Sequence, residues 1–345
     1  MDRYLEEDLY RLSQNKKLQG KYKNKTIFVT GATGLIGSLI IKALLRLDHR
    51  VNVIALIRDL EKAKDIYEDD FERIQFVIND ILDPFNVDGD IDYIFHCASI
   101  TSSKKMILCP VETIDVAITG TRNILELARK KHVQSFVYIS SMEVYGTFTI
   151  STSDVKEDDM GYVNPLLVRS NYPECKRLCE NMCIAYYSEF GIPVKIARLA
   201  QTFGPGILKT ENRVFAQFAR SVIRNEDIVL HTKGLSEGNY CYSRDAINAL
   251  LLLLICGKDG EAYNISNPKA HTTIANMADM ICKKITNNKI RVIFDVPEDN
   301  VFGYAADTKM RLNSEKMMAL GWKPEIGLEE AYSRLIGSMI ETHNY

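Results

Sequence analysis

From Lys25 to about Leu199 the chain alternates short, β-branched apolar runs with stretches of helical periodicity. The runs are Thr26–Thr30, Val51–Ile57, Ile74–Ile78, Tyr93–His96, Phe136–Ser140 and Val194–Ala197, and helical patterns such as Ser38–Leu47, Glu112–Lys131 and Pro173–Phe190 lie between them. Repeated strand–helix units predict an α/β fold, a doubly wound parallel sheet with right-handed crossovers and helices on both faces. Beyond Ala200 the regularity breaks. Gly204-Pro205-Gly206 marks a turn, Arg213–Arg224 reads as a helix, Thr232–Asn239 as a loop, and 263–345 mixes short strands and helices up to Gly321-Trp322-Lys323-Pro324. The expected organisation is a leading helix over 1–20, a sheet domain over 21–200 plus 240–262, and a smaller C-terminal α/β lobe over 201–239 plus 263–345. Open α/β sheets bind ligands beyond the carboxyl ends of their strands, so loops from both parts should meet in one cleft.

Charge and composition narrow the function classes. A net charge of −2 leaves no basic footprint, so nucleic acid is not an expected partner. The longest apolar run, Ala249 to Cys256, is far shorter than the roughly 20 residues a membrane span needs. The N-terminus reads as an acidic amphipathic helix with no signal-peptide core, which predicts a cytoplasmic protein away from membranes. Eight cysteines include no C-x-x-C pair and no zinc-type spacing. Cys175, Cys179 and Cys183 recur every four residues on one helix face, where small thiols pack well, so no metal site is expected.

The chemistry begins at Lys25-Thr-Ile-Phe-Val-Thr-Gly-Ala-Thr-Gly-Leu-Ile-Gly37, a strand opening through Gly31, Gly34 and Gly37 into a helix. Glycines permit a sharp turn, let a pyrophosphate approach main-chain N–H groups, and allow the helix to pack closely on the sheet. Strand two ends Ile57-Arg58-Asp59. An acid at such an end takes a ribose 2′-hydroxyl and an arginine favours a 2′-phosphate, so Arg58 points to NADP(H) over NAD(H), with Asp59 the residue that would reverse this choice. Asn79-Asp80-Ile81 after the third strand suits an adenine contact. His96-Cys97-Ala98-Ser99 supplies small residues where the backbone passes close to a cofactor, with His96 reading equally well as a packed core histidine. The residues expected along the cofactor are Gly31, Thr33, Gly34, Leu35, Ile36, Gly37, Arg58, Asp80, Ile81, Ala98 and Ser99, together with Tyr172 and Lys176.

Strand five ends Tyr138-Ile-Ser-Ser-Met-Glu-Val-Tyr-Gly146, and Arg169-Ser-Asn-Tyr-Pro-Glu-Cys-Lys176 opens a helix. Tyr172 and Lys176, four apart, share one helical face. A phenol with an ordinary pKa of about 10 becomes a useful acid or base when a neighbouring ammonium favours its ionised form. Ser141 would give the same substrate oxygen a second hydrogen bond.

The glycine turn, Ser141 and Tyr172-x-x-x-Lys176 together resemble the extended short-chain dehydrogenase/reductases, the NAD-dependent epimerase/dehydratase family, over about residues 25–335. The resemblance implies a Rossmann domain, a C-terminal lobe that binds a nucleotide-linked sugar, Ser141, Tyr172 and Lys176 as catalytic triad, and a homodimer built through two helices per subunit. Ser-Ser-Met-Glu143-Val-Tyr-Gly, Arg169-Ser-Asn-Tyr172-Pro-Glu-Cys-Lys176-Arg177 and Thr202-Phe-Gly-Pro205 are most similar to UDP-glucuronate decarboxylases, and Glu143 matches an acidic residue that decarboxylases and 4,6-dehydratases carry. On the same basis Ser141, Met142, Glu143, Gln201, Arg213 and Tyr240 are expected against the substrate.

The departures change the picture. Those decarboxylases resemble one another in an acid at the end of strand two, an Asn before Thr-x-Gly-Pro, an Arg after Gly-Pro, and a T-R-A-F segment whose Arg serves an anionic substrate. This chain has Ile57-Arg58, Gln201, Gly206 and Gly238 there. Read this way, the sequence favours an NADPH-dependent reductase acting on a keto group of a nucleotide-linked, CDP-type sugar or sugar-alcohol precursor for surface polysaccharide. A lyase or epimerase (decarboxylase, 4,6-dehydratase or 4-epimerase) is the alternative, and a catalytically idle dinucleotide sensor comes last because Ser141, Tyr172 and Lys176 are all present.

Overall fold

Ile27 and Val29 enter one apolar core while Phe28 between them enters another, the alternation that a strand's period of two imposes. The same division runs through a seven-stranded, wholly parallel sheet of β1 (Thr26–Thr30), β2 (Asn52–Ile57), β3 (Ile74–Ile78), β4 (Tyr93–His96), β5 (Ser135–Ser141), β6 (Val194–Leu199) and β7 (Glu261–Ile265). Their order is β7-β6-β5-β4-β1-β2-β3, so the winding reverses between β1 and β4 and a crevice opens above their carboxyl ends. The computed structural model describes residues 2–148, 152–297, 309–343 and 345.

The helices are α1 (Arg3–Ser13), α2 (Leu35–Leu47), α3 (Leu60–Tyr67), α4 (Ser103–Leu108), α5 (Pro110–Lys131), α6 (Asn171–Phe190), α7 (Val214–Arg224) and α8 (Ser243–Cys256), followed by shorter ones and a C-terminal helix, Leu328–Glu341. Side chains of α1, α2 and α8 fill the core on one face of the sheet, and those of α5 and α6, including Cys175, Cys179 and Cys183, fill the other. A third core, with Phe203, Phe215, Tyr240, Tyr242, Met277 and Tyr332, belongs to the smaller lobe.

Two expected boundaries move. The leading helix ends at Ser13 instead of running to 20, and Leu18 and Tyr22 are then buried from a series of turns, the Tyr22 hydroxyl donating to the Leu251 carbonyl at 2.7 Å. The last sheet strand, Glu261–Ile265, straddles the expected boundary at 262. Its Glu-Ala-Tyr-Asn-Ile hides a strand because Asn264 is fully buried, accepting from the Tyr145 hydroxyl at 2.6 Å and donating to the carbonyls of Val155 and Asn313.

Candidate active site

The glycine turn sits at the crevice. Gly31 has φ +62°, in the left-handed region, and a Cβ there would lie 2.8 Å from the main chain of Cys97 and Ala98 at the end of β4. A Cβ on Gly37 would collide with the Gly31 carbonyl oxygen, so this glycine lets α2 close down on the turn. Gly34 is the N-cap of α2 and offers no side-chain oxygen to the first-turn N–H groups, which suits a helix start built to receive an anion. The Thr30 hydroxyl accepts from the N–H groups of Cys97 and Ala98 at 3.1 and 3.0 Å, which ties the two strand ends together. Behind them His96 is wedged between Thr30 and Thr121, at 2.8 and 3.1 Å. Burial, aided by the charge of Lys176, pulls its pKa down to about 3, and it serves the core.

Two adjoining cavities share Gly31, Gly34, Cys97 and Ser99 and form one groove. The first, about 250 Å³, runs from the turn to the ends of β2 and β3 and is lined by Thr33, Arg58, Asp80, Ile81 and Ala98 among others. Arg58 reaches Asp80 at 3.5 Å. Asp59 does not line this cavity; its carboxylate caps α3 by accepting from the Lys62 N–H at 3.0 Å. Lys62 and Leu208 also line it and were missed from the sequence. Lys62, one turn after Arg58, carried a readable signal, whereas Leu208 arrives from a loop some 150 residues away in the chain and carried none.

The second cavity, about 180 Å³, extends from Leu35, Ile36 and Gly37 to Ser141, Tyr172, Lys176 and Arg213. β5 delivers Ser141 and the first two turns of α6 deliver Tyr172 and Lys176. The Lys176 ammonium is buried, donates to the Ile139 carbonyl at 2.7 Å, and lies 4.8 Å from the Tyr138 ring and 5.7 Å from the Tyr172 ring. Burial lowers its pKa, while the neighbouring thiols and Glu180 act against that. The expectation that Lys176 depresses the Tyr172 pKa is not met here. Burial first, then the Glu143 charge, push the phenol up, and the Ser141 hydroxyl, Arg169 and Arg213 pull it down. Arg213 points its Nε and Nη2 at Glu211, at 3.0 and 2.6 Å.

Four residues expected against the substrate do not line the groove. Met142 is buried with Val144 and Tyr145 in a small apolar cluster. Glu143 stands partly exposed, paired to Arg169 at 3.0 Å. Gln201 is half-buried on a short strand, Gln201–Phe203, paired with Tyr240–Tyr242. Tyr240 faces the lobe core because the pleat sends Tyr240 and Tyr242 inward together; it is 1% exposed, packs edge-on to Phe203, and its hydroxyl has no hydrogen-bond partner among the described residues. A Cβ on Gly238 would lie 2.5 Å from that Tyr240 hydroxyl, so the ring occupies the space a side chain at 238 would need. A further cavity, about 460 Å³, lies elsewhere, between α6 and the β6–β7 edge, and Arg198 and Glu180 in its lining already bind each other at 2.7 Å. The groove is the cavity that gathers Ser141, Tyr172 and Lys176.

The sequence profile of the NAD dependent epimerase/dehydratase family matches residues 27–266. UDP-glucuronic acid decarboxylase 1 of Danio rerio is 28% identical over 323 residues, covering 93% of this chain and 74% of that protein. UDP-glucuronic acid decarboxylase 5 of Arabidopsis thaliana is 29% identical over 310 residues, covering 89% of this chain and 87% of that one. Among solved structures, the UDP-glucose 4-epimerase of Thermotoga maritima with UDP-glucose superposes with a TM-score of 0.76 at 22% identity, over 92% of this chain and 99% of that one. The dTDP-glucose 4,6-dehydratase of Bacillus anthracis in complex with NAD gives 0.74 at 20% identity, over 93% and 98%.

Proposed function

The chain belongs to the NAD dependent epimerase/dehydratase family, and from that premise we propose that it is a nucleotide-sugar epimerase or lyase that oxidises the sugar and reduces it again within one turnover. The observation that carries this reading is the single groove that runs from the ends of β2 and β3, past the Gly31 turn, to Ser141, Tyr172 and Lys176. A nicotinamide bound there would take up and return a hydride. Tyr172 exchanges a proton with the sugar hydroxyl, Ser141 hydrogen-bonds the same oxygen, and Lys176, anchored on Ile139, holds positive charge beside the phenol. Decarboxylation, 4-epimerisation and 4,6-dehydration, the reactions named for the relatives and structural neighbours, all leave the dinucleotide unchanged at the end of a cycle, which supports recycling over net reduction.

At the adenine end we assign a preference for NADP(H) over NAD(H), because Arg58 lines the cavity while Asp59 is engaged as a helix cap. A 2′-phosphate is remote from the nicotinamide and does not by itself distinguish recycling from consumption. The reductase reading, with a CDP-linked ketose, stays second on the strength of Arg58. At the sugar end, Gly206 and Gly238 offer no cation, so within the lyase and epimerase class a sugar without a carboxylate is preferred and 4-epimerisation or 4,6-dehydration stands ahead of decarboxylation. A homodimer through α5 and α6 completes the proposal, supported by Leu178, Tyr187 and Phe190 exposed on α6.

Chromatography of the dinucleotide released from purified, denatured protein tests the reading. Co-purifying NADP+ and conversion of UDP-glucose or dTDP-glucose without added dinucleotide are expected. An empty protein that oxidises NADPH with a nucleotide-linked ketose would promote the reductase. Carbon dioxide from UDP-glucuronate would overturn the choice of a carboxylate-free sugar.

A further inference from the structure

Six groups face the Tyr172 phenol: Ser141 and Tyr138 of β5, Glu143 just beyond β5, Arg169 before α6, Lys176 within α6, and Arg213 before α7. Arg213 is already matched by Glu211, and Lys176 by the Ile139 carbonyl. Glu143 and Arg169 remain, and they are matched with each other. One nitrogen of Arg169, Nη2, lies 3.0 Å from each Glu143 oxygen, while the guanidinium carbon stands 5.8 Å from the centre of the Tyr172 ring.

We propose that Arg169 is a positioning residue of this site, holding Glu143 in a charge-neutral pair at the rim, and that the balance of this pair governs how readily Tyr172 gives up its proton. The inference rests on the reading of Tyr172 as the acid–base group. The two members push the phenol in opposite directions, Glu143 against ionisation and Arg169 towards it. A carboxylate left without Arg169 would oppose the phenolate needed to take a proton from the sugar hydroxyl. A guanidinium left without Glu143 would favour it too far for Tyr172 to return that proton easily. Because Nη2 alone makes both contacts, an ammonium can replace it, so charge and reach matter here more than the planar fork.

A substrate-free experiment tests this. The protons released when NADP+ or NAD+, whichever binds more tightly, enters the groove of protein first freed of any co-purifying dinucleotide are counted by calorimetry in buffers of different ionisation enthalpy, between about pH 6 and pH 10. The positive nicotinamide ring favours the phenolate, so the wild type should release protons with a midpoint set by Tyr172. Arg169→Gln should move that midpoint up by about half to one pH unit and Glu143→Gln should move it down by a similar amount. The double variant and Arg169→Lys should lie near the wild type, and Tyr172→Phe should abolish the release. If Arg169→Gln and Glu143→Gln both leave the midpoint unchanged, or move it the same way, while Tyr172→Phe still abolishes release, the role of Arg169 is overturned and the acid–base assignment stands. If Tyr172→Phe releases as many protons as the wild type, or the wild type releases none, the acid–base reading fails and this inference with it.

Discussion

The glycine turn and the smaller lobe use glycine in opposite ways. At the dinucleotide end Gly31 and Gly37 are small because main chain fills the space around them, so the missing side chains bring strand, turn and helix together. In the smaller lobe Gly238 is small because a neighbour two residues on, Tyr240, has laid its ring across the spot. The first arrangement leaves backbone to form the wall of the groove, the second fills the space with an aromatic side chain. A main-chain site is specified by a dozen consecutive residues, whereas a side-chain site depends on segments that meet only after folding, and it can be remodelled by one aromatic ring.

The largest expected effect lies at the far end of the groove from Arg58. Tyr172→Phe should lower the catalytic rate by at least ~100-fold, since acid–base groups contribute typically 10²–10⁴, while dinucleotide affinity by calorimetry stays close to that of the wild type. Retained turnover would remove the catalytic junction on which the comparison depends. Next comes the adenine end. Arg58→Ala should weaken NADP(H) far more than NAD(H), by about 1.5–3 kcal/mol for a lost charge-assisted contact. Equal loss for both would hand the choice back to Asp59.

A matched pair of glycine substitutions sharpens the contrast. Gly37→Ala and Gly238→Ala should each destabilise by about 1–3 kcal/mol through overpacking, read from denaturant midpoints. Only Gly37→Ala should also cost dinucleotide affinity; if Gly238→Ala does so as well, the turn and the smaller lobe are not separable. The smallest effect is expected from Tyr240→Phe. It deletes a buried hydroxyl that has no partner among the described residues, so stability should be unchanged or higher by up to about 1 kcal/mol, with KM for the nucleotide sugar within about twofold. A large rise in KM would restore Tyr240 as a substrate contact.

The sequence by itself determined the parallel sheet, the glycine turn and the pairing of Tyr172 with Lys176, because each is written in neighbouring residues: apolar runs of strand length, glycines at three-residue intervals, and two side chains one helical turn apart. It also pointed to Arg58 over Asp59, and only the tertiary structure shows that the Asp59 carboxylate is engaged as a helix cap. The final strand escaped notice because Asn264 breaks its apolar pattern, and that residue is tolerable in a core only where Tyr145, Val155 and Asn313 converge on it. Tyr240 was misplaced for the related reason that motif position does not report which face of a short strand looks inward. The Arg169–Glu143 pair was likewise invisible, although both residues stood in quoted motifs, because they are 26 positions apart and interact through space. Local backbone geometry and periodicity propagate along the chain and can be read from it, whereas the partners of a charge, the filling of a cavity and the pKa of a buried phenol are set by distances that exist only once the chain has folded.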